Sequence, residues 1–198
     1  MQSLRQRNAI RTILDEHEQL AIVVHGMLHF VRLIDKGEKT PGLMVFRAML
    51  YYIREYPEQV HHPKEDQYLF KLLRDRTNEF DATLAELELQ HTLGEALVRE
   101  LEHALTRYEL EGSPVFPVFR DLVEKYAKFY FNHMRLEEEV VLPAAQRLLT
   151  PENWAVVDAA FAGNLDPFAG SNLQYDLEQL FLLIVNIIPA PTNPGPAI

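Results

Sequence analysis

The chain contains no cysteine among its 198 residues. This absence excludes disulfide bonds, thiolate metal sites and cysteine nucleophiles, and it is typical of a reducing compartment. Any metal that the chain binds must therefore be held by nitrogen and oxygen atoms. Histidine, aspartate and glutamate are then the side chains that decide whether a metal site exists.

Positive charge is also scarce. The sequence has 19 Lys and Arg against 29 Asp and Glu, a formal net charge of −10 and a pI near 5.3. Nucleic-acid backbones and anionic lipid surfaces repel such a chain, so we expect neither nucleic acid nor a membrane as a partner. The apolar run near the C-terminus is shorter than the roughly 20 residues that span a bilayer. A polar segment follows Met1 where a signal peptide would be apolar, which predicts a cytoplasmic protein.

Apolar residues recur at helical spacing along most of the chain, and 47% of the residues are hydrophobic, which is enough for one substantial core. Polar breaks with proline or glycine separate four long helical patterns. These patterns cover residues 8–36, 46–72, 81–110 and 115–149. The short connections predict an all-α fold, an antiparallel up-down-up-down four-helix bundle over residues 1–149.

Residues 150–198 are predicted to form a C-terminal extension with helices at 151–162 and 175–188 and an irregular tail. The last helix is apolar on more faces than one bundle can cover. Its two apolar sides comprise Leu177, Phe181, Ile184 and Ile188 on one and Leu180, Leu183 and Ile187 on the other. We therefore predict a homodimer that forms through this helix.

Two prolines, Pro57 and Pro63, interrupt the second helical pattern close to His61. A proline inside a helix removes a backbone hydrogen bond and clashes with the preceding turn. We therefore predict that this helix is kinked or locally widened beside His61.

A repeated motif of histidine and glutamate lies at the centre of the helical patterns. His61 and Glu65 form a His-x-x-x-Glu step, which places both side chains on one face of a helix. His133 and Glu137 repeat the step 72 residues later (61 to 133 and 65 to 137). Two single histidines, at 17 and 91, keep a similar offset of 74 residues. The doubled unit supplies the candidate metal ligands His17, His61, Glu65, His91, His133 and Glu137.

The six side chains are predicted to meet at one level, because residues equidistant from a hairpin turn lie at the same height in a bundle. His17 and His61 are centred on position 39, and His91 and His133 on position 112; both positions fall in predicted connections. Burying these groups would cost several kcal/mol for each unpaired charge. A dinuclear metal site removes that cost, with two nitrogens for each ion and carboxylates that bridge. The alternative is a buried network in which the six side chains hydrogen-bond to one another.

The phrases HHPKEDQYLF and HMRLEEEVVLP, with their spacing, resemble the hemerythrin-like HHE cation-binding domain over about residues 8–149. The resemblance implies a four-helix bundle around a non-haem di-iron centre. It also implies that the six candidates bind two iron ions, with Glu65 and Glu137 as the bridging carboxylates. Zinc or manganese would suit ligands of this type as well. Ions that share a carboxylate are expected about 3.5 Å apart, with the imidazoles divided two and two.

The sequence differs from the oxygen-carrying hemerythrins at two positions of the ligand pattern. Those proteins have a His-x-x-x-His step on the third helix, where this chain has His91 and Glu95. They also have an aspartate five residues after the fourth-helix histidine, where this chain has the step from His133 to Glu137. Both differences argue against reversible oxygen carriage. The pattern is more similar to the di-iron domain of iron–sulfur cluster repair proteins, although this chain has no cysteine for the cysteine-containing N-terminal domain of those proteins.

Three acids near the motif have a structural and a functional interpretation. Glu95 is an extra ligand, a group that supports the ligands, or an exposed acid on the flank of the bundle, and the exposed position is the commoner one. Asp66 and Glu138 follow Glu65 and Glu137 in the repeat. They are either solvated acids or groups that orient the imidazoles, a role that metal sites commonly need.

The remaining histidines and two tyrosines are given structural interpretations first. His62 is expected to point about 100° away from His61 on a helix. We expect a structural or exposed position for all histidines outside the repeat, namely His25, His29, His62 and His103. Tyr126 and Tyr130 precede His133 by one or two turns. They either pack in the core or line a path for a small molecule.

The favoured function is a non-haem di-iron protein of the hemerythrin-like type that senses, stores or reacts with O2, NO, peroxide or iron itself. One alternative is a di-iron enzyme, a peroxidase or nitric-oxide reductase, because six protein ligands leave coordination positions open on two ions. Another alternative is a structural metalloprotein or interaction module whose metal stabilises the bundle. A small molecule such as O2, NO or peroxide is the expected partner in the first two cases.

Overall fold

A computed structural model describes residues 6–162 and 182–188. These residues form six helices and no strands, which confirms the predicted all-α helical bundle. The helices are α1 (Gln6–Asp35), α2 (44–74), α3 (Asp81–Glu111), α4 (116–148), α5 (Pro151–Ala162) and a short helix at 182–187. The first five begin and end within a few residues of the predicted positions.

Short connections join the four long helices, at 36–43, 75–80 and 112–115. Gly37 and Gly112 have φ angles of 68° and 75° in these connections, a conformation that side chains with a Cβ rarely adopt. Successive long helices pack against each other, and α1 also packs against α4, which closes the bundle. Connections this short join antiparallel neighbours.

The helix α2 is widened in two places, as the prolines predict. It is α-helical over Met44–Ile53, π-helical over Arg54–His61 with Pro57 inside, and π-helical again over Glu65–Phe70. The helix α4 has a π-helical segment as well, Glu137–Val141, and Pro143 lies two residues after its end. Each widened segment begins or ends at a candidate ligand, in line with the frequent occurrence of such segments at functional sites.

The candidate ligands separate two apolar clusters along the bundle. On α1, His17 lies between Ile13 of one cluster and Leu20 of the other. On α3, Leu87 and Leu97 flank the candidate histidine in the same way. The polar layer is therefore packed between two apolar layers, and both layers keep water away from it.

The C-terminal extension contacts the bundle in both described parts. Trp154 and Phe161 of α5 belong to the apolar cluster that contains Ile13, and Ile184 of the short helix belongs to the other. Most of the helix predicted at 175–188, and the tail predicted beyond it, lie outside the described residues. The division of the chain at residues 149 and 150 stays a prediction.

Among the described helices, none combines the length and the apolar character that a bilayer span requires. The cytoplasmic location expected from the sequence stays a prediction.

Candidate metal centre

All six candidate ligands lie together inside the bundle, and each side chain is buried. Each of the four long helices contributes to the set: His17 from α1, His61 and Glu65 from α2, His91 from α3, and His133 and Glu137 from α4. The level matching predicted from the hairpin midpoints therefore describes the arrangement correctly.

Two imidazoles from α1 and α2 form one half of the site. The Nε2 atoms of His17 and His61 are 3.2 Å apart. Nε2 of His61 also lies 3.3 Å from Oε1 of Glu65, one helical turn away. Nε2 of His17 lies 3.3 Å from Oε2 of Glu137 on the opposite helix.

Two imidazoles from α3 and α4 form the other half, with their ring centroids 4.9 Å apart. Nε2 of His91 is 3.7 Å from Oε2 of Glu65 and 3.7 Å from Oε1 of Glu137. Nε2 of His133 is 3.4 Å from the same Oε1 of Glu137.

Each carboxylate thus directs its two oxygens to different halves of the site. Glu65 presents Oε1 to His61 and Oε2 to His91. Glu137 presents Oε2 to His17 and Oε1 to both His91 and His133. A carboxylate that bridges two metal ions has this orientation.

The second nitrogen of every candidate imidazole contacts a fixed oxygen acceptor. Nδ1 of His61 is 2.5 Å from Oε2 of Glu16, and Nδ1 of His133 is 3.0 Å from Oε1 of Gln90. Nδ1 of His17 is 2.9 Å from Oε1 of Glu138, and Nδ1 of His91 is 2.9 Å from Oδ1 of Asp66. Such partners fix the orientation and tautomer of imidazoles that bind metals.

These contacts explain why hydrogen bonding alone does not satisfy the site. A neutral imidazole that donates from Nδ1 has a bare lone pair on Nε2. In this neutral form the Nε2 lone pairs face carboxylate oxygens, which is repulsive unless a proton or a metal ion lies between them. Among the described residues, five buried atoms of the set have no hydrogen-bond partner: Nε2 of His91, Nε2 of His133, Oε2 of Glu65 and both side-chain oxygens of Glu137.

The separations also suit metal ligands. Two atoms that each lie about 2.1 Å from one ion are about 3.0–3.4 Å apart. The separations between candidate ligand atoms within each half run from 3.2 Å to 3.7 Å. The residues present therefore fit a pair of metal ions better than they fit a hydrogen-bonded network.

The electric field of the site favours positive charge. Burial opposes protonation of His17, but the adjacent carboxylates of Glu137 and Glu138 outweigh it and raise the pKa to about 9. Burial opposes protonation of His91 too, while Asp66 and Glu137 raise its pKa to about 10. Nitrogens that hold protons this tightly also attract metal cations.

Carboxylates lie close to carboxylates in this site, and imidazoles lie close to imidazoles. Burial and the neighbouring Glu137 carboxylate raise the pKa of Glu65. Burial, together with the positive charge of His91, lowers the pKa of His133 to about 4. Both shifts arise because the groups cannot all be ionised next to one another, and bound divalent cations would remove this conflict.

The structure distinguishes between the interpretations of the three acids near the motif. Asp66 and Glu138 contact Nδ1 of a candidate ligand, as the orienting role requires. Glu95 lies outside the site, because it pairs with Arg99 on an exposed surface of α3. The preferred interpretation of Glu95 as an exposed acid is therefore correct.

Two orienting residues, Glu16 and Gln90, were not identified from the sequence. Each immediately precedes a single histidine of the repeat, and they share the offset of 74 residues that relates those histidines (16 to 90). The signal was thus present in the repeat. It was hidden because each residue contacts an imidazole of the neighbouring helix and not the histidine beside it.

The expectation that His62 points away from the motif is wrong. His62 is buried, and its ring lies 4.1 Å from that of His91 at an angle of 9°. The reason is the π-helical segment that ends at His61, because a wider turn rotates successive side chains by less than the 100° of an α-helix. Burial and the adjacent imidazoles lower the pKa of His62 well below its usual value, so the ring is neutral.

The other residues singled out in the sequence have ordinary environments or lie beside the site. His25 and His103 are exposed, and His29 is half-buried. Tyr126 and Tyr130 are both buried; the Tyr130 ring lies 5.6 Å from that of His133, and the Tyr126 ring packs against Tyr130 at 5.5 Å.

Among curated proteins, no significant sequence match to this chain is found. The family model described as Hemerythrin HHE cation binding domain matches residues 8–145. The matched range holds all six candidate ligands and nearly the whole of the four long helices. The chain therefore belongs to the hemerythrin HHE cation-binding domain family.

Proposed function

We propose that this protein binds two iron ions between its four imidazoles and two carboxylates, and that it senses, stores or reacts with a small molecule such as O2, NO or peroxide. The membership in a cation-binding family and the buried cluster of histidine and glutamate support the metal site. The observation that carries the proposal is the orientation of Glu65 and Glu137, because the two oxygens of each carboxylate face different halves of the site.

The protein's own residues divide the work between binding and orientation. His17 and His61 supply nitrogens to one half, and His91 and His133 supply nitrogens to the other. Glu65 and Glu137 offset the positive charge of the ions in an environment of low dielectric constant. Iron supplies redox chemistry toward small oxygen- and nitrogen-containing molecules when it is bound. Six protein ligands leave room for such a molecule, because iron commonly accepts more than three ligands.

Metal analysis combined with an optical spectrum tests this proposal. We expect two irons per chain in protein purified without added metal. We also expect a change in the visible spectrum of the ferrous form within minutes of exposure to air. One metal per chain, or zinc in both positions, would contradict the proposal.

Two further measurements separate the alternatives. Steady-state turnover of peroxide or nitric oxide would indicate a di-iron enzyme. A bound metal whose spectrum does not respond to oxygen, nitric oxide or peroxide would indicate that the metal stabilises the bundle.

A further inference from the structure

Three buried polar side chains next to the centre belong to none of the roles described so far. Nδ1 of His62 lies 3.2 Å from Oε2 of Glu58, and Nε2 of the same ring lies 3.1 Å from the hydroxyl of Tyr130. Each of the three side chains is at most 8% exposed. They form one continuous hydrogen-bonded chain from α2 to α4.

The hydrogen-bonded chain of Glu58, His62 and Tyr130 ends beside the half of the centre that His91 and His133 form. The His62 ring stacks on His91 at 4.1 Å, and its centroid is 5.3 Å from that of His133. A ring nitrogen of His62 lies within 4.8 Å of a ring nitrogen of each. The Tyr130 ring lies 5.6 Å from that of His133.

His62 lies beside the candidate ligands His91 and His133 without being arranged as a further ligand. The lone pair of an imidazole nitrogen lies in the plane of the ring. The rings of His62 and His91 are nearly parallel, at 9°, and stacked, so their lone pairs lie in separate planes and cannot meet at one ion. The contact of His62 Nε2 with Tyr130 uses the remaining nitrogen for a hydrogen bond.

The hydrogen bonds of the chain have a direction. Glu58 is buried and its Oε1 has no hydrogen-bond partner among the described residues, an environment that disfavours a charged carboxylate. Burial accordingly raises the pKa of Glu58 to about 8, which favours the protonated carboxyl group. A protonated carboxyl donates to Nδ1 of His62, which leaves the ring proton on Nε2. Nε2 then donates to the Tyr130 oxygen, and the hydroxyl hydrogen of Tyr130 stays available for a further acceptor.

The residues that the sequence repeat relates to Glu58 and His62 do not form an equivalent hydrogen-bonded chain. The offset of 72 residues relates Glu58 to Tyr130 and His62 to Met134 (58 to 130 and 62 to 134). Met134 is buried and offers no hydrogen-bond donor. The repeat therefore supplies no counterpart of His62 beside the other half of the centre.

The packing of α3 leaves room for the first member of this hydrogen-bonded chain, the carboxyl group of Glu58. Gly94 lies inside α3, where glycine is less favourable than alanine. A Cβ at this position would lie 3.2 Å from Oε1 of Glu58 and 3.4 Å from the Phe129 ring. The absence of a side chain thus leaves room for the carboxyl group that holds His62.

We propose that Glu58, His62 and Tyr130 form a directed hydrogen-bond chain whose last donor, the Tyr130 hydroxyl, binds the small molecule on the His91 and His133 side of the centre. The inference rests on the proposed di-metal site. It adds that the two halves differ, and that the molecule bound must accept a hydrogen bond. Small anions and oxygen-containing molecules are of this class.

Azide binding to the full chain, loaded with iron and oxidised in air, tests the inference. We expect Tyr130→Phe to retain two irons per chain while the dissociation constant for azide, measured by absorbance, rises about tenfold, the ratio that one lost hydrogen bond produces. His62→Leu should weaken azide binding in the same direction. Glu58→Gln should stay within about twofold of the unmodified protein, because its amide also donates to Nδ1 of His62.

Tyr126→Phe is the matched control, since Tyr126 is buried one turn away and its hydroxyl has no hydrogen-bond partner among the described residues. This variant should bind azide as the unmodified protein does. An unchanged dissociation constant in Tyr130→Phe with both irons retained would overturn the inference. Loss of an iron in Tyr130→Phe or His62→Leu would overturn it as well, because the residue would then be a ligand. Failure of the unmodified protein to bind iron would instead refute the proposed function.

Discussion

At the scale of single residues, one arrangement recurs at all four candidate imidazoles. Nε2 points into the centre, and Nδ1 contacts an oxygen acceptor supplied by another helix. The acceptors are Glu16, Asp66, Gln90 and Glu138. Because the four acceptors come from four different helices, every long helix both supplies a ligand and orients one on a neighbouring helix.

The first prediction concerns the ligands. His61→Ala or Glu137→Ala should lower the metal content sharply, because the remaining buried groups are left without a partner. The same loss should destabilise the bundle by about 3 kcal/mol. Metal analysis and thermal unfolding followed by circular dichroism measure the two effects. His103→Ala is the control, because His103 is exposed and lies outside the centre. A variant of His61 or Glu137 that retains two metals would refute the ligand assignment.

The second prediction concerns an orienting acid. Asp66→Ala removes the acceptor 2.9 Å from Nδ1 of His91 and leaves every candidate ligand in place. We expect the metal affinity to fall about tenfold to a hundredfold, as measured by competition with a chelator. Glu95→Ala should leave the affinity unchanged, since Glu95 pairs only with the exposed Arg99 among the described residues. Equal affinities of the two variants would show that Asp66 has no part in the site.

At the scale of helices, the prolines fix where the ligands point. The segment Arg54–His61 contains Pro57 and is π-helical, so the backbone gains room where the proline ring would clash with the preceding turn. This local change sets the rotation of the following residues about the helix axis. It turns His62 toward the centre together with His61.

The third prediction follows from this role. Pro57→Ala permits a regular α-helix, which would shift the following residues by up to one position, about 100° around the axis. We expect the helical content measured by circular dichroism to be kept or raised, while the metal content falls. Pro117→Ala is the matched control, because Pro117 lies in the first turn of α4, where proline is favourable. A Pro57→Ala protein with two metals and an unchanged visible spectrum would show that the widened turn does not position the ligands.

The same segment marks the limit of what the sequence predicts. The hairpin midpoints and the repeat brought the six candidates together correctly, because bundle geometry depends on helix length and connection length alone. The widening beside His61 was also predicted from the prolines. The direction of His62 was not, because the number of residues per turn in a widened segment depends on how the neighbouring helices pack. Glu16 and Gln90 were missed since their contacts cross between helices.

At the scale of the whole molecule, the bundle consists of two apolar layers with a polar layer between them. Phe70 and Leu87 pack on one side of the candidate ligands, and Phe46 and Phe119 pack on the other. The two apolar layers stabilise the folded bundle. The polar layer between them supplies the candidate metal ligands. The C-terminal extension adds to both layers, with Trp154 in one and Ile184 in the other.

The last prediction concerns the surface that this extension leaves. In the described part of the final helix, Ile184 is buried in the core of its own bundle and Ile188 packs against it. Leu183 and Ile187 remain 62% and 44% exposed. One side of the helix is therefore covered by the bundle, and the other apolar side stays exposed, where we predict that a second copy of the chain packs.

We expect a dimer at micromolar concentration by light scattering, and a monomer when Leu183 and Ile187 are both replaced by glutamate, because two charges on each partner would face each other across the interface. Leu110→Glu is the control, since Leu110 is 80% exposed at the end of α3, far along the chain from the final helix. It should leave the dimer intact. A monomeric unmodified protein, or a dimer that survives the double replacement, would remove the assigned role of this helix, and the metal centre would be unaffected because none of its candidate ligands comes from the extension.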